Sequence, residues 1–345
     1  MVFLSKNLQG KSNDRHLYAV GRIRVLETRL LERDLLRSLI EAQSIKDVYN
    51  ELRDTIYGEA VIETDENLDF ERMLKIETTN LIYLMDSICP DPELIDLFVY
   101  FFDVQNLKIL FKAEMAKAYE SHSFYAAARY SVSFLRELVQ NTSASQREFP
   151  GWMISAAREL RDVWKKSQKL RLVDAVWDRA LILAQLDGAQ RYKRPILAGF
   201  FIMNIDIHNV ETFIRIRISE RSREQFEQFF IPQGHFPLSF FQNAWGAGIR
   251  EIHRHFEKTP FYPLVDKALE EYHEEGSLTM LEIEESRLLI DQLDSARYVT
   301  FGPEPILAYL VTRLFEIKIL RRIFVAKKNK LPIEGLRKRV MTYYA

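Results

Sequence analysis

Three stretches of this chain carry the same residue classes in the same order, and nothing else in it constrains the fold as much. Pro92, Pro195 and Pro305 each stand eleven residues before an acid: Asp103, Asp206 and Glu316. With the prolines aligned and no gaps, the columns read Leu94/Leu197/Leu307, Leu97/Phe200/Leu310, Phe98/Phe201/Val311, Val104/Ile207/Ile317, Leu107/Val210/Leu320, Leu110/Phe213/Ile323 and Phe111/Ile214/Phe324. The acids lie 103 and 110 residues apart, so the chain reads as one helical unit used three times.

A proline in the first turn of a helix costs nothing, because the N–H it lacks has no partner there. Glu304 before Pro305 adds negative charge at the positive end of the helix dipole. In the third copy Ile306, Leu310, Leu314, Ile317, Leu320 and Phe324 recur at spacings of four, four, three, three and four, one stripe of an α-helix. Burying each such side chain contributes about 1.5–3 kcal/mol before chain entropy is subtracted. Lys327, Lys328, Asn329 and Lys330, then Pro332, supply cations at the negative end, a residue tolerant of left-handed backbone, and a stop. The spacing places each acid on the polar flank of its helix. Asn106 and Asn209 follow one turn along the same face, where the third copy has Ile319.

Of the 345 residues 47% are hydrophobic and 28% charged, with 12 Gly and 11 Pro, a balance that predicts a folded, all-α chain. At this length the repeat favours three units, over 17–130, 131–235 and 236–345, behind a leader over 1–16. A net charge of −1 argues against bulk attraction to nucleic acid or to an anionic membrane. The charge is uneven, however: residues 51–96 carry thirteen acids against three bases, and residues 313–339 ten bases against two acids. The lone Cys89 excludes an internal disulfide and a thiolate metal cluster and suits a reducing compartment. The opening MVFLSKNLQGKSNDRH is too polar for a signal peptide, and no apolar run of about 18 residues occurs. Work at a membrane then requires another protein as anchor.

Tyr18 to Gln43 has the pattern of one long amphipathic helix. Leu172-Val173-Asp174 opens a helix that ends near Asp187-Gly188, and Leu264-Val265-Asp266 echoes that opening. Between Phe226 and Trp245 lies an aromatic connector with two readings: packing at a joint between units, or an exposed patch that receives a partner.

The sequence offers little chemistry. There is no GxxxxGK[ST] phosphate loop, and Gly246-Ala247-Gly248 has Glu251 where a third glycine belongs, so helix packing is the better use of these small residues. His253 and His255 point to different faces of a helix and read as a surface pair rather than metal ligands. Glu274, Glu275, Glu282, Glu284 and Glu285 read as a solvated face rather than an acid/base site. Asp103, Asp206 and Glu316 form the best acid set, and being repeated they suit capping or bridging of helices better than catalysis. No catalytic, cofactor or metal residue is assigned. The bases from Arg313 to Arg339 alternate with apolar residues and match no nucleic-acid motif, so they read as a docking face for an acidic protein surface, with Arg321, Lys327 and Lys328 as its candidates.

The tail GPEPILAYLVTRLFEIKILRRIFVAKKNKLPIEGLRKRV resembles the C-terminal signature of the C subunits of V-type and A-type rotary ATPases, relatives of the eukaryotic V-ATPase d subunits. YAVGRIRVLETRLL is similar to that family's opening helix, and FFIMNIDIHNVETFIRIR supports the match, which covers about residues 17–345. Ile319 departs from the Asn expected there. The resemblance implies a funnel-shaped, all-helical socket of three pseudo-threefold-related units. It also implies a non-catalytic place, one copy per complex, between the central rotor shaft and the membrane proteolipid ring, on the cytoplasmic face, where torque couples ATP hydrolysis or synthesis to proton or sodium transport. The alternatives are a cytosolic helical scaffold with unrelated partners and an enzyme, which needs a pocket of convergent polar groups.

Overall fold

A computed structural model of the protein describes residues 13–117, 124–140 and 148–341. Among the described residues there are seventeen α-helices, joined in places by short 3-10 turns, and no strand. In chain order they are α1 (Leu17–Glu27), α2 (Arg33–Glu41), α3 (Ile45–Leu52), α4 (Gly58–Thr64), α5 (Phe70–Ile88), α6 (Pro92–Ala116), α7 (Val132–Gln140), α8 (Gly151–Ser167) and α9 (Arg171–Arg191). Then follow α10 (Pro195–Ile218), α11 (Arg223–Phe229), α12 (Leu238–Ala244), α13 (Ile252–His255), α14 (Tyr262–Glu275), α15 (Thr279–Leu293), α16 (Glu304–Lys328) and α17 (Ile333–Met341). Most of the expected leader lies outside the described residues; residues 13–16 form a single 3-10 turn.

The three repeated segments are the long helices α6, α10 and α16, each with its proline in the first turn. α16 ends as its basic last turn requires, but Asn329 keeps a φ of −94° and Lys330 takes the left-handed φ of 53°. The helix expected over Tyr18–Gln43 is two, α1 and α2, parted at residues 28–32. The Thr28 hydroxyl turns back to Val25 O at 2.8 Å, and the Leu31 amide donates to a side chain of α16, so tertiary contact overrides local helix propensity. α9 runs through Gly188 to Arg191 rather than stopping there. A Cβ on Gly188 would run into the Leu97 side chain, so the glycine serves the close approach of α6 to α9 rather than a helix end.

Six helices form a closed cycle of neighbours: α5 packs on α6, α6 on α9, α9 on α10, α10 on α15, α15 on α16, and α16 back on α5. Phe98 of α6 meets Phe200 and Phe201 of α10 at ring distances of 6.0 and 5.4 Å. Beyond that point α6 changes partners: Leu94 to Phe102 belong to the large core, whereas Val104 to Phe111 join a second core with α7, α8 and α9. The starts of the long helices are tied together by polar contacts. His16 Nε2 lies 2.8 Å from Asp91 at the start of α6, and Arg194 at the start of α10 lies 3.6 Å from Glu304 of α16. Burial and the flanking guanidiniums of Arg15 and Arg194 push His16 down to about 4, so its ring is neutral in this contact.

Candidate functional site

The repeated acids are not on a solvated flank. Asp103 and Asp206 are fully buried and Glu316 is 1% exposed. A buried carboxylate must be compensated, and each takes its hydrogen bonds from a distant piece of backbone that leads into a short helix. Asp103 accepts from the amides of Arg129 and Tyr130 at 3.1 and 2.9 Å, just ahead of α7. Asp206 accepts from the amides of His235 and Phe236 at 3.1 and 3.2 Å, just ahead of α12, with the His235 ring at 2.7 Å. A Cβ on Gly234 would run into Asp206 Oδ1, so only glycine lets this backbone come so near. Glu316 accepts from the amide of Leu31 at 2.6 Å, just ahead of α2. Burial pushes Asp103 up to about 6 against the pull of its two amides.

The asparagines one turn on repeat the logic. Asn106 bonds both ways with the backbone of Tyr125, at 3.0 and 2.8 Å, and Asn209 both ways with that of Ile231, at 2.7 and 2.8 Å. A side-chain amide thus satisfies a backbone donor and acceptor that would otherwise be stranded in the core. Tyr125 and Ile231 each precede the second acid-bound amide, Tyr130 or Phe236, by five residues; the corresponding position before Leu31 is Leu26, and the buried Ile319 has no side-chain amide to pair with its backbone.

The third acid is held differently. Glu316 Oε2 takes bonds from Tyr57 Oη at 3.0 Å and Arg313 Nη1 at 2.7 Å, and Arg313 also reaches Glu77 of α5 at 3.1 Å. The guanidinium lies 4.4 Å from the centre of the Tyr57 ring. Burial pushes Glu77 up to about 7 even with Arg313 beside it, and burial raises the Tyr57 hydroxyl well above its ordinary value. Sequence reasoning missed Glu77 and Tyr57, and it read Arg313 as the first base of a docking face, whereas Arg313 is buried and bonded within the chain. The available signal was Arg313 itself, a base eight residues past the proline where the other copies have Tyr100 and Met203.

The three candidate docking bases all have partners within the chain. Arg321 pairs with Glu71 at 3.3 Å, Lys327 donates to the carbonyl of Ile40, and the exposed Lys328 lies 5.7 Å from the Phe70 ring. Elsewhere the structure corrects the sequence reading. Glu274 and Glu275 are exposed, as read, but Glu284 is buried and paired with Lys267, and burial together with Glu211 pushes Glu285 up to about 7, so this end of the run is a packed ionic layer rather than a solvated face. His255 is half-buried, its Nε2 2.9 Å from Phe240 O, not a surface group. In the aromatic connector Phe226 and Phe241 are buried and stack with Phe213, Phe236, Trp245 and Phe256, which makes it core.

Burial pushes the Cys89 thiol up to about 12, far from a reactive thiolate. Among the described residues no group of three or more His, Cys, Asp or Glu could hold a metal ion, and no helix is long and apolar enough to cross a membrane. A cleft of about 360 Å³ lies between α1, α15 and α16 and is lined by an Arg24–Glu27 pair over Leu30, Leu293 and Ala308.

Residues 19–339 match the ATP synthase (C/AC39) subunit family. The chain is 26% identical to the C subunit of the V-type sodium ATPase of Enterococcus hirae, over 93% of this chain and 97% of that protein. It is 23% identical to the C subunit of the A-type ATP synthase of Methanocaldococcus jannaschii, over 93% of this chain and 85% of that one, and 21% identical to its counterpart in Pyrococcus abyssi, over 89% and 85%. A family match over residues 19–339, on a fold that is all-helical among the described residues, places the protein: it belongs to the ATP synthase (C/AC39) subunit family, the C subunits of the V/A-type rotary ATPases.

Proposed function

We propose that this chain is a non-catalytic central-stalk subunit, seated one copy per complex between the rotor shaft and the proteolipid ring on the cytoplasmic face of the membrane. There it passes on the torque that couples ATP hydrolysis or synthesis to proton or sodium transport. The observation that carries this reading is the family match together with the closed cycle α5, α6, α9, α10, α15 and α16. A body that turns with a shaft must resist twisting, and a closed ring of helices shears less easily than an open stack. Three units related by a pseudo-threefold axis, opening as a funnel, account for the matching cages of Asp103, Asp206 and Glu316 and for α6 leaving the common core halfway along. The clusters of charge have structural partners, which suits an element that carries load rather than substrate.

Arg321, Lys327 and Lys328 serve in this reading as part of a docking face for an acidic partner, with Lys328 the most accessible. Since Arg321 and Lys327 also hold internal contacts, their contribution to docking is read only after folding is checked. The test is a gentle-detergent pull-down of the tagged chain from its native membrane, with every band identified. Recovery of shaft and proteolipid-ring components supports the proposal. Recovery of the chain alone in soluble extract, at low and high salt, overturns it.

A further inference from the structure

We propose that the joint between the two ends of the chain is a clasp: the strap formed by α1 and α2 closes onto α16 last and opens first, held at the Leu31 amide by Glu316, which Tyr57 and the Glu77-bound Arg313 fix in place. In the first two cages the acid and the backbone it holds are near in sequence. Asp103 is 26 and 27 residues from its amide donors, and Asp206 is 29 and 30. Glu316 takes its amide from Leu31, 285 residues away at the opposite end of the chain. The registers nevertheless agree: Tyr130, Phe236 and Leu31 each stand two residues before a short helix, α7, α12 and α2. The N-terminal strap therefore occupies the place that a downstream connector fills in the other two cages. One unit is then composite, with α1 to α5 supplied by the start of the chain and α16 and α17 by its end.

The contacts of this joint fit a clasp. α1 packs on α16 and α2 on α17, with no covalent link between the partners except through the rest of the ring. Lys327 reaches the Ile40 carbonyl, Arg337 pairs with Glu41 at 2.9 Å, and Arg24 donates to Val299 O at 3.3 Å, so polar contacts run along the whole strap. The asparagine that ties backbone to long helix in the other cages is absent, replaced by Ile319, and the four-residue ionic lock stands in its place. A closing loop about tenfold longer lowers the probability of contact in the unfolded chain about 30-fold. This joint thus forms late, and on closing it carries Ile23, Leu36, Leu39 and Ile40 into the same large core as α6, α10 and α15. The clasp rests on the three-unit reading above, but its test needs no ATPase, so its failure leaves the coupling function standing.

Amide hydrogen exchange on the full chain tests the proposal, read at Leu31, Tyr130 and Phe236, three amides with the same kind of buried carboxylate acceptor. Leu31 is expected to exchange at least about tenfold faster than the other two, because the strap opens while the other two cages stay closed. In a second protein Glu41→Cys and Arg337→Cys, both at exposed positions, are bridged by a bis-maleimide, fastening α2 to α17. Bridging is expected to slow Leu31 toward the rate of the other amides while leaving Tyr130 and Phe236 unchanged. Arg313→Met is expected to speed Leu31 selectively. Equal exchange at all three amides in the wild type overturns the clasp, and so does a Leu31 rate that bridging leaves unchanged.

Discussion

Replacing Arg313 by Met is the sharpest perturbation of the buried lock, because one substitution strands two carboxylates. Arg313 and Glu316 are 4% and 1% exposed at the side chain and Glu77 is 6%, so water does not replace the lost guanidinium. Removing one partner of a buried ion pair costs about 3–5 kcal/mol, much of it the penalty of leaving the other charge unpaired. Two features reduce this: Tyr57 and the Leu31 amide still donate to Glu316, and Glu77 sheds its charge by taking up a proton. Since Glu77 is already pushed up to about 7, its neutral form is accessible near neutrality, and losing the base raises it further. Arg313→Met is therefore expected to cost about 3–5 kcal/mol at about pH 8, and less at about pH 6, with Glu77→Gln in the same chain recovering part of the loss. Urea unfolding followed by far-UV circular dichroism measures this. A cost below about 1 kcal/mol, ordinary for a surface change, refutes the lock, as does a loss independent of pH and of Glu77.

The wild type should show the same titration. Because the folded value of Glu77 lies above its unfolded value of 4.5, the group's contribution is full below that value and is lost as pH rises through about 7; Glu77→Gln should flatten the decline in stability between about pH 6 and about pH 8 in urea melts. Asn209→Leu strands the buried N–H and C=O of Ile231 and is expected to cost about 2–4 kcal/mol, whereas Ile319→Asn, which buries an amide where no backbone pair exists, also destabilises, by about 1–3 kcal/mol; thermal or urea melts that find Ile319→Asn stabilising would contradict the asymmetry. Reversal of Arg321, Lys327 and Lys328 to Glu is expected to make assembly with the rest of the complex weaker and dependent on salt, measured by pull-down at low and high ionic strength after circular dichroism has confirmed folding.

What was legible in the sequence was what local physics controls. Proline at the first turn, the apolar stripe and the basic last turn located α6, α10 and α16 to within a few residues, and the ungapped match singled out Asp103, Asp206 and Glu316. Their burial was not legible, since a stripe shows which face is apolar but not that neighbouring segments cover the other faces too. Nor was the break at residues 28–32, because the amide of Leu31 is claimed by Glu316 from the far end of the chain. The Glu282–Glu285 run looked solvated for the same reason: its partners Lys267 and Arg322 lie on other helices. The apolar fate of Phe226 and Phe241 was one of two open readings, and only packing against Phe213 and Phe256 decided it.

The central claim is that the chain transmits torque and does no chemistry, and the direct measurement is ATP hydrolysis and ion transport, side by side, on a reconstituted complex with and without this chain. Without it, hydrolysis by the catalytic sector should persist while ion transport is lost, and both should be coupled again when the chain is restored. If the catalytic sector cannot hydrolyse ATP without this chain, or if transport stays coupled in its absence, the account is wrong.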